Sequence, residues 1–155
     1  MTYPLLLWLH IIGATLLLGT GAGIAFFMVM AHRTGDPAVI AHVAGTVVVT
    51  DFLFTATAVA AQPITGAALM ALQGWPLSTP WIALALILYG VVGLFWIPVV
   101  FMQIKMRDIA HVAATEGTRL PDAYYNLYRR WFAFGFPAFF AVLAILWLMT
   151  AKPSL

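Results

Sequence analysis

Leu5-Leu6-Leu7-Trp8-Leu9-His10-Ile11-Ile12 opens an apolar run that continues to Met30. A helix needs about 20 such residues to cross ~30 Å of hydrocarbon, so this run has the length of a membrane span. It is too long for a cleavable signal peptide and lacks the basic residues that precede one. His10 stands apart within it. An ionisable side chain in a spanning segment is costly and marks a functional site by default.

The rest of the chain has the same character. Of its 155 residues 64% are hydrophobic and only 8% charged, with a mean hydropathy of +1.01. Soluble domains carry about 25% charged residues, so lipid is the solvent this surface suits. Four segments are long enough to cross: about 5–30, 38–72, 81–105 and 127–149. They predict an all-α protein, a four-helix up-down bundle forming a single transmembrane domain over residues 1–155. Pro63 is expected to kink the long second span, so that Ile64 to Leu72 tilt along the interface. Ser78-Thr79-Pro80 reads as a helix start, a capping hydroxyl followed by proline at the first position. Pro121-Asp122 offers an early start to the fourth helix.

Charge orients the bundle. Arg33, Lys105, Arg107, Arg119, Arg129 and Arg130 fall in or beside the connections after spans one and three, and only Lys152 falls on the other side. By the positive-inside rule these connections face the cytoplasm and both termini face outward. That predicts a multi-pass membrane protein with both termini on the outer side. Trp8, Trp75, Trp81 and Trp147 then form an outer aromatic belt, and Tyr124, Tyr125, Tyr128 and Trp131 an inner one.

Polar residues inside the spans sort by helical face. In the first span His10, Leu17, Gly21 and Met28 share a stripe flanked by Gly13 and Ala14, and Gly19 and Gly23 make a G-x-x-x-G. The small residues serve either close helix packing or a space beside His10 for a flat ligand such as a porphyrin. In the second span Asp51, Thr55, Ala58, Gln62 and Thr65 follow i, i+4, i+7, i+11, i+14, a single polar stripe from mid-membrane toward the outer face. Asp51 must face the bundle, either protonated or paired. Gln62 matches His10 in depth, so the two can meet. The third span places Tyr89, Gly93, Trp96 and Gln103 on one face, with Tyr89 a candidate partner for Asp51 and Pro98 a candidate kink. Met149 is the only thioether of the fourth span at about the depth of His10.

His42 and His10 differ in depth by roughly 20 Å at 1.5 Å per residue, so they cannot share a metal within one chain. His32 and His111 read as solvated loop histidines. Without cysteine there are no disulfides, thiolate chemistry or Cys-ligated clusters. No phosphate loop, nucleophile elbow or hydrolytic carboxylate pair is present, and no nucleic-acid partner is expected.

Several stretches carry a resemblance: Leu9-His10-Ile11-Ile12-Gly13-Ala14, Asp51-Phe52-Leu53-Phe54-Thr55, Gln62-Pro63-Ile64-Thr65-Gly66, Ser78-Thr79-Pro80-Trp81, and Trp96 to Val100 with Gln103 to Arg107. Together they resemble a family of bacterial integral membrane proteins with a domain of unknown function, DUF2269. The opening Trp8-Leu9-His10-Ile11-Ile12 with Gly19, Gly21 and Ala31-His32 is more distantly similar to HemJ-type protoporphyrinogen oxidases and CopD-type membrane proteins. That likeness implies haem b with His10 as axial metal ligand. The cofactor set would draw on His10, Gly13, Ala14, Gln62, Tyr89 and Met149, with a quinone or redox partner. The Tyr-x-Pro-Arg pattern of the HemJ type is replaced here by Ala25-Phe26-Phe27-Met28.

Two function classes follow. One is a haem b-binding membrane redox protein, an oxidoreductase or electron-transfer subunit. The other is a non-enzymatic membrane subunit or small-solute carrier that uses Asp51, Thr55, Gln62 and Thr65 and assembles as a homo-oligomer.

Overall fold

The computed structural model describes residues 2–154; Met1 and Leu155, the ends of the expected single domain, lie outside the described residues. Four helices account for nearly all of them: α1 Thr2–Thr34, α2 Pro37–Gln73, α3 Pro80–Glu116 and α4 Asp122–Ala151. There is no strand among the described residues. Each helix is long and apolar enough to cross a membrane. Neighbours in sequence pack together, and α4 closes back on α1. Short connections at alternating ends impose this antiparallel order. The two turns at residues 35–36 and 117–121 define one end of the bundle, the loop end; the chain termini lie at the other.

Local chemistry sets the breaks. Gly35, Gly74 and Gly117 adopt φ of +66°, +67° and +64°, a conformation other residues resist, and each ends a helix. Asp36 caps α2, its Oδ1 accepting the Ala38 N–H at 2.8 Å with Pro37 at the first position. Thr79 precedes α3 in the same way, but its hydroxyl donates to the Pro76 carbonyl at 2.8 Å and leaves the helix end uncapped by a side chain.

The helices run past the spans expected from hydropathy. α3 continues beyond Lys105 to Glu116 because Met106, Ala110 and Ala113 extend its buried stripe at helical spacing. α4 likewise begins at Asp122. α2 continues as helix through Pro63, and a π-helical turn interrupts its α-helical pattern at Asp51–Thr55.

The distribution of side chains is inverted relative to a water-soluble protein. Ile64, Leu94, Phe26 and Phe101 are exposed, whereas Asp51, Thr55, Gln62 and Gln103 are buried. Two apolar clusters flank this polar middle. Toward the loop end Met28, Ile40, Ala44, Met106, Ala110 and Tyr124 are wholly buried. Toward the termini Trp81, Ile82, Ala85 and Leu148 pack with Met70, Trp75 and Met149. Lys152 Nζ lies over the Trp75 ring at 4.5 Å, a cation–π contact that ties the end of α4 to the α2–α3 turn.

Candidate functional site

The polar residues of α2 do not form the single stripe that their spacing predicts. A π-turn holds one residue more than an α-turn, so everything beyond it is carried about 100° further round the axis. The Ala56 N–H bonds the Asp51 carbonyl, five residues back. The first half of α2 accordingly lies close to α3 as well as α1, while the half beyond the π-turn lies against α1. Asp51 is thereby aimed at α3, and Gln62 and Thr65 at α1.

The Asp51 side is a four-residue network. Trp96 Nε1 donates to Asp51 Oδ1 at 3.3 Å. Oriented so that both polar atoms of its amide are paired, Gln103 donates to Asp51 Oδ2 at 3.1 Å and accepts from Trp131 Nε1 at 3.3 Å. Both carboxyl oxygens therefore face donors, and every donor is neutral. The one ion pair among the described residues joins the adjacent Arg107 and Asp108, so Asp51 has no cationic partner among them. One helical turn on, Thr55 Oγ1 is buried beside the Asp51 carboxyl but makes no hydrogen bond of ordinary geometry with any described residue. An orphaned hydroxyl in such a place costs about 1–3 kcal/mol.

The second cluster joins α2 to α1. Gln62 Nε2 donates to the His10 carbonyl at 2.8 Å, and Gly13 makes room for it, since a Cβ there would overlap Nε2. His10 Nδ1 lies 2.8 Å from Thr65 Oγ1. Thr65 Oγ1 also lies 2.9 and 3.2 Å from the Ala61 and Gln62 carbonyls. With the hydroxyl donating to one of these carbonyls, Nδ1–H donates to Thr65, and in that tautomer His10 Nε2 carries the free lone pair. The ring lies against Gly66, where a Cβ would sit 3.4 Å from Cε1.

Residues 4–153 match the family of predicted integral membrane proteins DUF2269. The chain belongs to that family. No curated protein and no solved structure matches it. The DUF2269 chain therefore has its site defined by its own geometry.

That geometry scatters the residues expected around a haem. His10, Gly13 and Gln62 are together. Tyr89 is elsewhere: its hydroxyl donates to the Val59 carbonyl and not to Asp51. Met149 sits in the apolar cluster at the termini. Ala14 lines a different cleft of about 420 Å³ between α1 and α4, with Thr15, Gly19, Ala22, Phe139 and Leu143. The free Nε2 of His10 fits an axial ligand, but the space that Gly13 leaves is filled by Gln62. The residues of one chain thus do not form a haem pocket. No group of three or more His, Asp or Glu suited to a metal occurs among the described residues.

His111 is exposed as expected, although it lies on α3 and not in a loop, and His42 is exposed on α2. His32 is not. It is half-buried and stacked on Tyr128, with ring centroids 3.6 Å apart and planes 8° from parallel, because α1 reaches the loop end beside the early-starting α4. Sequence reasoning also missed Trp131 as part of the Asp51 network. The usable signal for Gln103 was depth, since Asp51 and Gln103 lie about equally far from the loop ends of their helices.

Proposed function

We propose that this DUF2269 protein is a non-enzymatic membrane subunit or small-solute carrier that works through a proton or small cation at Asp51. The carrying observation is a buried carboxyl on a π-turn, held by neutral donors, with an unpartnered hydroxyl one turn away. Hydrogen-bond donors suit the ionised carboxyl, and a lone buried charge in lipid favours uptake of a positive one. π-turns occur frequently at functional sites. Infrared difference spectra of the protein in lipid vesicles, recorded across a pH titration and with Li+, Na+ or K+, test this. A carboxyl band that responds and is lost in Asp51→Asn is expected; no Asp51-dependent band under any of these conditions overturns the reading.

The basic residues at the loop end support an orientation with both termini in the periplasm of a bacterial inner membrane. Four helices are few for a monomeric carrier. Gly19 and Gly23, whose added Cβ atoms would meet nothing within 4 Å, leave a face of α1 free for a second copy in a homo-oligomer.

A second reading, a redox protein holding haem b through His10 with a quinone or protein partner, is favoured by the free lone pair on Nε2. A second copy or partner chain would have to complete the pocket. A Soret band in protein expressed with added haem, lost in His10→Ala, is the expected result; no band, or one indifferent to His10→Ala, rejects it.

A further inference from the structure

Tyrosines of an interfacial belt usually turn their hydroxyls toward the headgroups. Tyr124 does the opposite. It is wholly buried at the loop end of the bundle, with its hydroxyl 3.3 Å from His32 Nδ1. A phenol hydrogen needs an acceptor when buried, and His32 is the one that Tyr124 has among the described residues. With Nδ1 accepting, His32 keeps its proton on Nε2 and both groups are satisfied. The imidazole face stacks on Tyr128, with centroids 3.6 Å apart and planes 8° from parallel, while its Nδ1 edge meets Tyr124, whose ring centroid is 5.7 Å away. Tyr128 is half-buried and reaches the surface of the bundle. No other tyrosine of this cluster has its hydroxyl on a base among the described residues.

A phenol gives up an electron readily only when its proton can leave at the same time. Tyr124 is placed for that and Tyr128 is not. We propose that Tyr124 is a redox-active tyrosine, with His32 as its proton acceptor and Tyr128 as its electronic contact with the membrane surface, and that its oxidant is a peroxyl radical of the surrounding lipid. The peroxyl radical gains one electron, passed from Tyr124 through the Tyr128–His32 stack, and takes one proton from interfacial water to become a hydroperoxide. Tyr124 loses that electron, its O–H bond breaks, and the proton moves to His32 Nδ1 while His32 releases its Nε2 proton to water. A net hydrogen atom has passed to the peroxyl radical, leaving a neutral Tyr124 radical. A water-soluble donor of the ascorbate class at the loop end returns one electron and one proton, restoring the phenol and leaving the ascorbyl radical anion. The proposal does not rest on the reading of Asp51.

The full-length protein in nanodiscs of a polyunsaturated phosphatidylcholine, with a lipid-soluble azo initiator to supply peroxyl radicals, provides the test. Freeze-quenched electron paramagnetic resonance should show a neutral tyrosyl radical that ascorbate removes. Tyr124→Phe should abolish most of the signal, Tyr128→Phe should slow its appearance, and Tyr125→Phe, on an exposed neighbour, should leave it unchanged. His32→Gln keeps an acceptor without a base, and should lower the radical yield several-fold and remove its solvent isotope effect. Unchanged melting of each variant separates these losses from unfolding. If Tyr124→Phe does not fold, His32→Gln decides alone. A signal that survives Tyr124→Phe, an equal yield in His32→Gln, or lipid oxidation with no tyrosyl radical overturns the proposal.

Discussion

Tyr89 of α3 donates its hydroxyl to the carbonyl oxygen of Val59 in α2. That carbonyl lies four residues before Pro63, and proline has no N–H to return to it. A neighbouring helix thus supplies the hydrogen bond that the proline removes, which is how spanning helices tolerate proline. The helix continues through Pro63 to Gln73. Tyr89→Phe should lower stability by about 1–3 kcal/mol by leaving a half-buried carbonyl of a spanning helix unpaired. In a Pro63→Ala background, where the helix can make the bond itself, the loss should shrink to a small fraction. Thermal melting of the four proteins in one detergent checks this, and equal losses in both backgrounds would refute the pairing.

Gly13 and Gly19 offer opposite outcomes from one substitution. A Cβ at Gly13 overlaps Gln62 Nε2, whereas one at Gly19 meets nothing within 4 Å. Gly13→Ala should destabilise by about 1–3 kcal/mol through displacement of the Gln62–His10 bond. Gly19→Ala should be neutral or stabilise by up to about 1 kcal/mol through helix propensity in the monomer. If Gly19→Ala also shifts the oligomer to a smaller size on a sizing column, the free face of α1 is an assembly face.

Thr55 combines a stability cost with a role. Its buried hydroxyl has no partner, so Thr55→Val, of nearly the same shape, should raise stability by about 1 kcal/mol. The same change should weaken the response of the Asp51 carboxyl band to added cation or acid. A variant less stable than the parent would mean that the hydroxyl is paired after all.

Trp96 and Gln103 share one acceptor, Asp51. Trp96→Phe and Gln103→Leu should each cost about 1–3 kcal/mol, since a carboxyl in lipid loses a donor. Their combination should depart from the sum by about 0.5 kcal/mol or more, as expected for residues of one network. Strict additivity in urea or thermal melts would show that the two do not act on the same group.

The number of helices, their order and the end that gathers the basic residues were readable from hydropathy and charge, because lipid demands long apolar segments with satisfied backbones. Sequence also marked His10, Asp51 and Gln62 as interior, since no lipid-facing position tolerates them. Their partners were less legible. Helical face alone pairs Tyr89 with Asp51, yet its hydroxyl serves Val59. Hydropathy places His32 in a solvated loop, because the early start of α4 that brings Tyr124 and Tyr128 beside it carries little hydropathy signal.

The pattern of hydropathy along the chain specifies a lipid-embedded, all-helical protein with four crossings and Asp51 turned inward. Which inward groups meet is set by helix packing. The physical reason is the π-turn at Asp51–Thr55: one extra residue in a turn leaves hydropathy untouched, yet it rotates the rest of α2 by about a quarter of a circle. That rotation divides one polar stripe into the Asp51 network facing α3 and α4 and the Gln62–Thr65 clasp on His10.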